Sequence, residues 1–336
     1  MAAPCGGGKS GQPASVLIVA GPTCSGKSAL ALGLAEALGG TVINADAMQC
    51  YAELRVLTAR PDAAETARAP HLLYGVRPAA EAGSVAWWRE AALAALAETH
   101  AAGRLPILCG GTGMYFAALL NGLAEVPDPG EDARAEARAL LTEHGPAWLH
   151  ARLAEADPQT AARLRPSDSQ RIARAWEVWR GTGQGLAAWQ TAPGLAPAPY
   201  RFTGLLLDPP RSALRAAITT RFDAMLEAGA VDEVRALLAQ GLDPALPAMR
   251  AHGVPEISAA LRGEISWAEA QARAVAATLR YTKRQATWFR HHALAPPERL
   301  RTITTRVASF AQLMEQEMPD LQNFVRLQVD APQHGP

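Results

Sequence analysis

The 336-residue chain has no excess charge of either sign: Lys+Arg and Asp+Glu each total 32, for a formal net charge of +0 and a pI near 7.1. Bulk charge therefore gives no argument for binding to nucleic acid or to a membrane surface, although local basic patches remain open. Cysteine is scarce. Cys5, Cys24, Cys50 and Cys109 fall singly, with no CxxC pair and no zinc spacing, so free thiols are expected rather than a disulfide framework. None of the eight histidines has metal-ligand spacing. No stretch approaches the about 18 consecutive apolar residues of a membrane span, and the opening MAAPCGGGKSGQPAS lacks the apolar segment of a signal peptide. A cytoplasmic protein that spans no membrane is expected, acting as a monomer. What is present is ample core material: 49% hydrophobic against 19% charged residues, which excludes disorder of the whole chain. The length suggests about two structural units, and no internal repeat is visible.

Residues 1–14 read as a flexible tail. The apolar run Ser15–Ala20 reads as a buried strand, Ser28–Leu38 as a helix stopped by Gly39-Gly40, and Thr41–Ala45 as a second strand. That strand–helix–strand order predicts a parallel sheet. An Ala-rich helix over 85–100 then leads to a strand, Leu105–Cys109, and the turn Gly110-Gly111-Thr112-Gly113. From about 119 to 190 strand signal vanishes in favour of Arg- and Ala-rich helical segments, broken at Pro127, Pro129, Gly145, Pro158, Pro166 and Gly181. Ala192–Pro199 reads as a stiff linker. Strand character returns at Phe202–Leu207, followed by helices over 211–240 and 266–290. The expected architecture is an α/β parallel-sheet core of the P-loop NTPase type (15–118 and 200–300), interrupted by a helical insertion and linker (119–199). Residues 301–336 are read as a C-terminal extension without an assigned role.

Gly21-Pro22-Thr23-Cys24-Ser25-Gly26-Lys27-Ser28 matches GxxxxGK[ST] in full, between a predicted strand and a predicted helix. Glycines there let successive N–H groups curl around phosphate oxygens at a helix N-terminus. Lys27 can reach the terminal phosphate, and the Ser28 hydroxyl can sit on Mg²⁺. The earlier Gly6-Gly7-Gly8-Lys9-Ser10 ends similarly, but Ala3 stands where the motif needs glycine and no strand precedes it. Asp208, after Leu205-Leu206-Leu207, is placed like a metal-holding acid, yet Pro209-Pro210 follow at once and favour a turn or helix entry.

Asp46 ends the second predicted strand, and strand C-termini in such sheets lie beside the phosphate loop. From spacing alone it is equally a helix cap or a functional acid. The sequence here resembles the tRNA dimethylallyltransferases (tRNA isopentenyltransferases) over most of residues 15–295. The likeness is carried by GPTCSGKS, by ADAMQCY (45–51) with TARP (58–61), and by PHLLYGV (70–76). It continues through CGGTGMYFAALLNGL (109–123), DPQTAARLRPSDSQRIARAWEV (157–178), RFDAML (221–226) and RYTKRQATWFR (280–290). Two departures stand out. The family commonly has Asp-Ser where this chain has Asp46-Ala47, and a Gly-Tyr-Lys/Arg pattern where it reads His252-Gly253-Val254-Pro255-Glu256.

The resemblance implies transfer of a dimethylallyl group from dimethylallyl diphosphate to N6 of the adenosine on the 3′ side of the anticodon, in tRNAs reading codons that begin with U. An exocyclic amine conjugated into a purine is a poor nucleophile, so a carboxylate base, Asp46 by resemblance, is expected to take its proton. The leaving diphosphate would be held by the loop, Lys27 and Mg²⁺. Thr23 could hydrogen-bond the bridging oxygen, and Arg221 is either a further phosphate clamp or a surface helix arginine. The target base must be extruded from the anticodon stem-loop into a pocket. By resemblance, tRNA contacts fall on Asp46, Ala47, Met48 and Gln49, on Thr112 and Arg134, and on Gln170, Arg171, Ile172, Ala173 and Arg174. Trp176 and Trp179 read as core of the same helix. Arg280, Lys283 and Arg284, with Arg290, form a basic stripe that is either a solvated face or a tRNA phosphate patch. Two other readings share the phosphate loop: a small-molecule or nucleotide kinase, and an RNA-binding NTPase switch. Neither calls for the Arg-rich insertion together with the 280–290 block, and no water-positioning residue for hydrolysis is visible.

Overall fold

The computed structural model describes residues 13–307 and 318–330. Six strands are described: β1 (Ser15–Ala20), β2 (Gly40–Asn44), β3 (His71–Leu72), β4 (Leu105–Gly110), β5 (Arg201–Leu207) and β6 (Leu300–Ile303). All pair in parallel, in the order β3-β2-β4-β1-β5-β6. Val16 to Ala20 of β1 are fully buried, as a central parallel strand covered on both faces requires.

The helices of the sheet's first half are α1 (Lys27–Leu38), α2 (Ala63–Arg68), α3 (Val85–Ala101) and α4 (Gly113–Leu120). Then come α5 (Glu131–Ala156), α6 (Pro158–Ala161), α7 (Ser169–Thr182) and α8 (Leu186–Thr191). The sheet's second half carries α9 (Arg211–Glu227), α10 (Ala230–Leu238), α11 (Val254–Leu261), α12 (Trp267–His291) and α13 (Met318–Asp330). One face of the sheet packs on α1 and α13 through Leu30, Leu34, Leu321 and Val325. The other packs on α3 and α4, where Trp88 stacks on Tyr115 at 4.2 Å and donates its indole N–H to Asn44 O at 2.9 Å. That bond fixes the C-terminal end of β2, from which Asp46 emerges.

The chain divides into two compact units, one of residues 1–120 and 198–336 and the other Asn121–Pro197. The insertion expected over 119–199 corresponds to the second unit. Its core is Ala137, Leu149, Leu153, Ile172, Ala175 and Trp176, between α5 and α7. Gly145 (φ 80, ψ 172) and Pro146 break α5 into two arms. Pro158, expected as a breaker, starts α6 at its first position, where proline fits. Gly181 breaks nothing: it lies inside α7, which stops instead at Gly183. A single interior glycine costs about 1 kcal/mol, less than the tertiary packing of that helix supplies.

Within the stretch read as a C-terminal extension, 308–317 and 331–336 lie outside the described residues, and the described remainder corrects that reading. β6 runs to Ile303 and pairs with β5, and α13 buries Leu321 and Val325 in the sheet core. A four-residue edge strand is too short for any period to be read without the sheet it completes, whereas α13 does carry apolar residues at helical spacing, Leu321, Phe324 and Val325.

Candidate active site

The phosphate loop leaves the end of β1 and enters α1. Its curl rests on two left-handed residues, Cys24 (φ 65) and Gly26 (φ 94), and on the turn bond from Ser25 N–H to Pro22 O at 3.2 Å. Gly26 is required twice over, since a Cβ there would also collide with Val307 O. The segment after β6 straps the loop: Val307 N–H donates to Ser25 O at 3.1 Å, and Arg306 Nε donates to Cys24 O at 3.0 Å. Thr23, Cys24, Gly26, Lys27 and Ser28 line a cavity of about 500 Å³. Gly21, Pro22 and Ser25 are buried and shape the loop. Arg221 of α9 reaches the same cavity, its Nη2 donating to Thr58 O at 3.2 Å and its Nη1 lying 3.8 Å from Cys24 Sγ.

Asp46 lines the cavity as well. Asn44 holds it from both sides, accepting from Asp46 N–H at 2.8 Å and donating to Asp46 O at 2.9 Å. Its Oδ1 accepts from Met48 N–H at 3.0 Å, so the carboxylate is a cap as well as a cavity group. From the end of β4, Thr112 Oγ1 accepts from Ala47 N–H at 2.9 Å, while Thr112 N–H reaches Ala45 O at 3.2 Å. Met48 and Gln49 complete this shelf, with Gln49 Nε2 donating to Thr58 O (2.9 Å) and Ala59 O (3.0 Å). Beneath it, burial pushes the Cys50 thiol up to about 12, so it stays protonated.

Three residues without a role assigned from sequence complete the site, although Tyr281 and Gln285 lie in the 280–290 block and His252 heads the second departure. Gln285 of α12 is buried; its Oε1 accepts from Thr23 N–H at 3.0 Å and Thr23 Oγ1 at 3.4 Å, and its Nε2 donates to Gly111 O at 3.0 Å. It thereby joins the loops after β1 and β4, and the Thr23 N–H is engaged by protein. Tyr281, one turn earlier, lines the cavity; burial raises its phenol, the charge of Asp46 adds to this, and the Thr112 side chain partly offsets it. His252 stands against Tyr281, ring centroids 5.2 Å apart, and burial holds its imidazole neutral. Only the position of Gln285 on the face opposite the Arg280–Lys283–Arg284 stripe hinted at an inward role.

A phosphate loop and a strand-end carboxylate opening into one cavity can hold a phosphorylated electrophile beside a base. Comparison with known proteins narrows this. A family model described as IPP transferase matches residues 49–292. The tRNA dimethylallyltransferase of Granulibacter bethesdensis is 64% identical over 310 residues, 92% of this chain and 97% of the relative. That of Gluconobacter oxydans is 60% identical, covering 94% and 96%. The chain belongs to the tRNA dimethylallyltransferase family. Among solved structures, the tRNA isopentenylpyrophosphate transferase of Bacillus halodurans superposes with a TM-score of 0.65 at 31% identity, covering 95% of this chain and 97% of that one.

Within this family member the remaining residues singled out from sequence fall on two surfaces. On α12, Arg280, Lys283, Arg284 and Arg290 are all exposed, and Arg284 lies over the Tyr281 ring at 5.5 Å. In the helical unit, Asp168 caps α7 by accepting from Arg171 N–H, which leaves the Arg171 side chain 75% exposed. Arg174 is partly exposed and pairs with Glu177, while Arg134 is held by Asp128 and Glu131. Ile172 is fully buried in that unit's core, and Ala173 packs against it. Their side chains serve α7, which corrects the expectation that the run 170–174 contacts RNA throughout; Gln170, Arg171 and Arg174 are the members able to do so. Trp176 is core, its indole N–H bonded to Glu136 at 3.2 Å.

Asp208 continues the sheet, its N–H paired with Ile303 O at 2.8 Å. No group of three metal-ligating side chains occurs among the described residues, and no described helix is long and apolar enough to cross a membrane. Mg²⁺ carried by phosphates needs few protein donors, and the Ser28 hydroxyl at the start of α1 is one that faces the cavity. The residues present fit such an ion.

Proposed function

We propose that this chain transfers the dimethylallyl group of dimethylallyl diphosphate to N6 of the adenosine 3′ to the anticodon, in tRNAs reading codons that begin with U. The observation that carries this is the sharing of one cavity by Lys27 and Ser28 with Asp46. In the reaction the N6–carbon bond forms, the carbon–oxygen bond to diphosphate breaks, and the N6 proton passes to Asp46. Asp46 is well suited because Asn44 fixes its main chain from both sides and the Met48 N–H orients its carboxylate. Lys27 and Arg221 stabilise the charge that collects on the departing diphosphate. When bound, Mg²⁺ supplies further neutralisation of that charge, with Ser28 as its protein ligand. Thr23, whose Oγ1 lies 3.4 Å from Gln285 Oε1, lines the cavity, and its rotatable hydroxyl is the group to hydrogen-bond the bridging oxygen of a bound diphosphate. Exposed Arg171 and partly exposed Arg174 of α7, with the α12 stripe, offer phosphate contacts for the anticodon stem-loop. Incubation of purified protein with unmodified tRNA and either dimethylallyl diphosphate or ATP tests the reading. A five-carbon mass gain on adenosine with the first substrate is expected; phosphate release from ATP with no gain on tRNA would reject it in favour of a kinase or NTPase.

A further inference from the structure

Arg60 follows the shelf that holds Asp46 and Gln49, in a loop that Glu233 and Arg221 tie to α10 and α9. Its Nη2 donates to Ala52 O at 3.1 Å, and its own N–H reaches Arg55 O at 3.0 Å. Its Nη1 rests directly on Gly75, where any Cβ would collide with it. Gly75 is in turn fixed by donating to Gln49 O at 2.9 Å. The glycine thus leaves a slot that the guanidinium fills. The Nε of Arg60 is buried and has no partner. Such a donor is costly to leave unmade.

The surrounding carboxylates do not meet that need. Glu233 is occupied by the N–H groups of Arg55, Val56 and Leu57, at 2.7, 2.7 and 3.0 Å. Glu53 accepts from Ala79 N–H at 2.8 Å. Arg60 instead lines the cavity of the phosphate loop, together with Arg221 and Lys27. Four cationic side chains, Arg306 included, thus line one space; the carboxylates there are Asp46 and the Asp62–Glu65 pair engaged in capping α2, and neither Arg60 nor Arg221 forms an ion pair among the described residues. Burial lowers the Arg60 guanidinium somewhat, yet an arginine remains charged at neutral pH. Mutual repulsion in a shared cavity is relieved by an anion carrying more than one negative charge.

We propose that Arg60 is a second guanidinium for the diphosphate of the prenyl donor, its cavity-lining charge binding the anion jointly with Arg221 and Lys27. The inference rests on the functional reading above and adds a residue to it. A competing place for the same charge is an RNA phosphate, because Arg55, Arg60 and Arg221 also border a second hollow of about 460 Å³.

Calorimetric titration of the full chain with inorganic diphosphate separates these, alongside tRNA binding measured on the same proteins. Arg60→Gln is expected to weaken diphosphate binding by about 10–100-fold, the value of a charge-assisted hydrogen bond, and to leave tRNA affinity within about twofold. Arg60→Lys keeps the charge but not the guanidinium, so about a tenfold loss of diphosphate affinity is expected, and it carries the test if Arg60→Gln unfolds. Diphosphate affinity within about twofold of wild type in both variants overturns the proposal, as does a loss confined to tRNA. Wild-type protein that binds no diphosphate overturns the reading of the site itself, and this inference with it.

Discussion

The two ends of the cavity are made of different material. At the phosphate end the backbone does the shaping: left-handed Cys24 and Gly26, the Pro22–Ser25 turn and the first N–H groups of α1. At the Asp46 end the shaping falls to side chains, Asn44 on Asp46 and Thr112 on Ala47, while Gln285 joins the two ends through Thr23 and Gly111. The curl of the phosphate end is written in consecutive residues and only held from outside, by Gln285 and the Arg306–Val307 strap, whereas the shelf of the other end depends on Thr112, 65 positions from Ala47. A substitution at the first end should alter one ligand; one at the second should disturb several groups together.

Lys27→Ala sharpens that contrast most. Binding of dimethylallyl diphosphate and transfer are expected to fall below detection, while tRNA affinity and thermal stability hold, because a half-exposed loop lysine contributes little to the core. Equilibrium binding of each substrate beside a melting curve checks it. Gln285→Ala tests the shared end. Thr23 N–H and Gly111 O lose their partner, so a destabilisation of about 1–3 kcal/mol is expected together with about a tenfold loss of transfer rate. A rate loss without a lower Tm would show that Gln285 acts only on substrate. Arg171→Ala with Arg174→Ala should weaken tRNA binding and reduce the slope of log affinity against log salt by about 1 for each phosphate no longer neutralised. Diphosphate affinity is expected to be unchanged, and its loss would remove α7 from the RNA-binding surface.

The smallest effect concerns pH. Burial holds His252 below its ordinary value of 6.5, so the unfolded chain binds this proton more readily than the folded one. The stability that the neutral ring contributes is present above about 6.5 and is lost as pH falls toward the depressed folded value. His252→Asn should remove part of the acid-side decline in Tm, leaving the part due to His100, which is also held neutral by burial. An unchanged Tm profile would show that His252 is accessible to protons in the folded state.

How far the sequence reveals this molecule follows the same division. β1, α1, β2, α3, β4 and β5 are legible because long apolar runs and glycine stops act locally, and the phosphate loop is legible for the same reason. β3 has two residues and β6 four, too few for any period; their strand character comes from pairing with β2 and β5. The Asp46 cap is half-legible: position at a strand end suggests it, but its double role needs Asn44 and Met48 in place. Gln285 and His252 are invisible in advance, since a buried glutamine on a basic helix and a histidine in a loop look like any others until α12 is laid across the strand ends. The strap Arg306–Val307 lies where sequence signal is weakest, although it closes directly over the strongest motif in the chain.

The division between a phosphate end and a proton end is tested most directly by the single-turnover transfer rate of Asp46→Asn, with tRNA and dimethylallyl diphosphate both saturating. Asparagine keeps the size of the side chain and the cap on Met48 but cannot accept the N6 proton. The expected rate is about 10²–10⁴-fold below wild type, with affinity for dimethylallyl diphosphate held or slightly improved, because a carboxylate is removed from beside an anion. A rate within about threefold of wild type would contradict the account, reducing Asp46 to a cap and leaving the base to be sought among the other groups of the cavity.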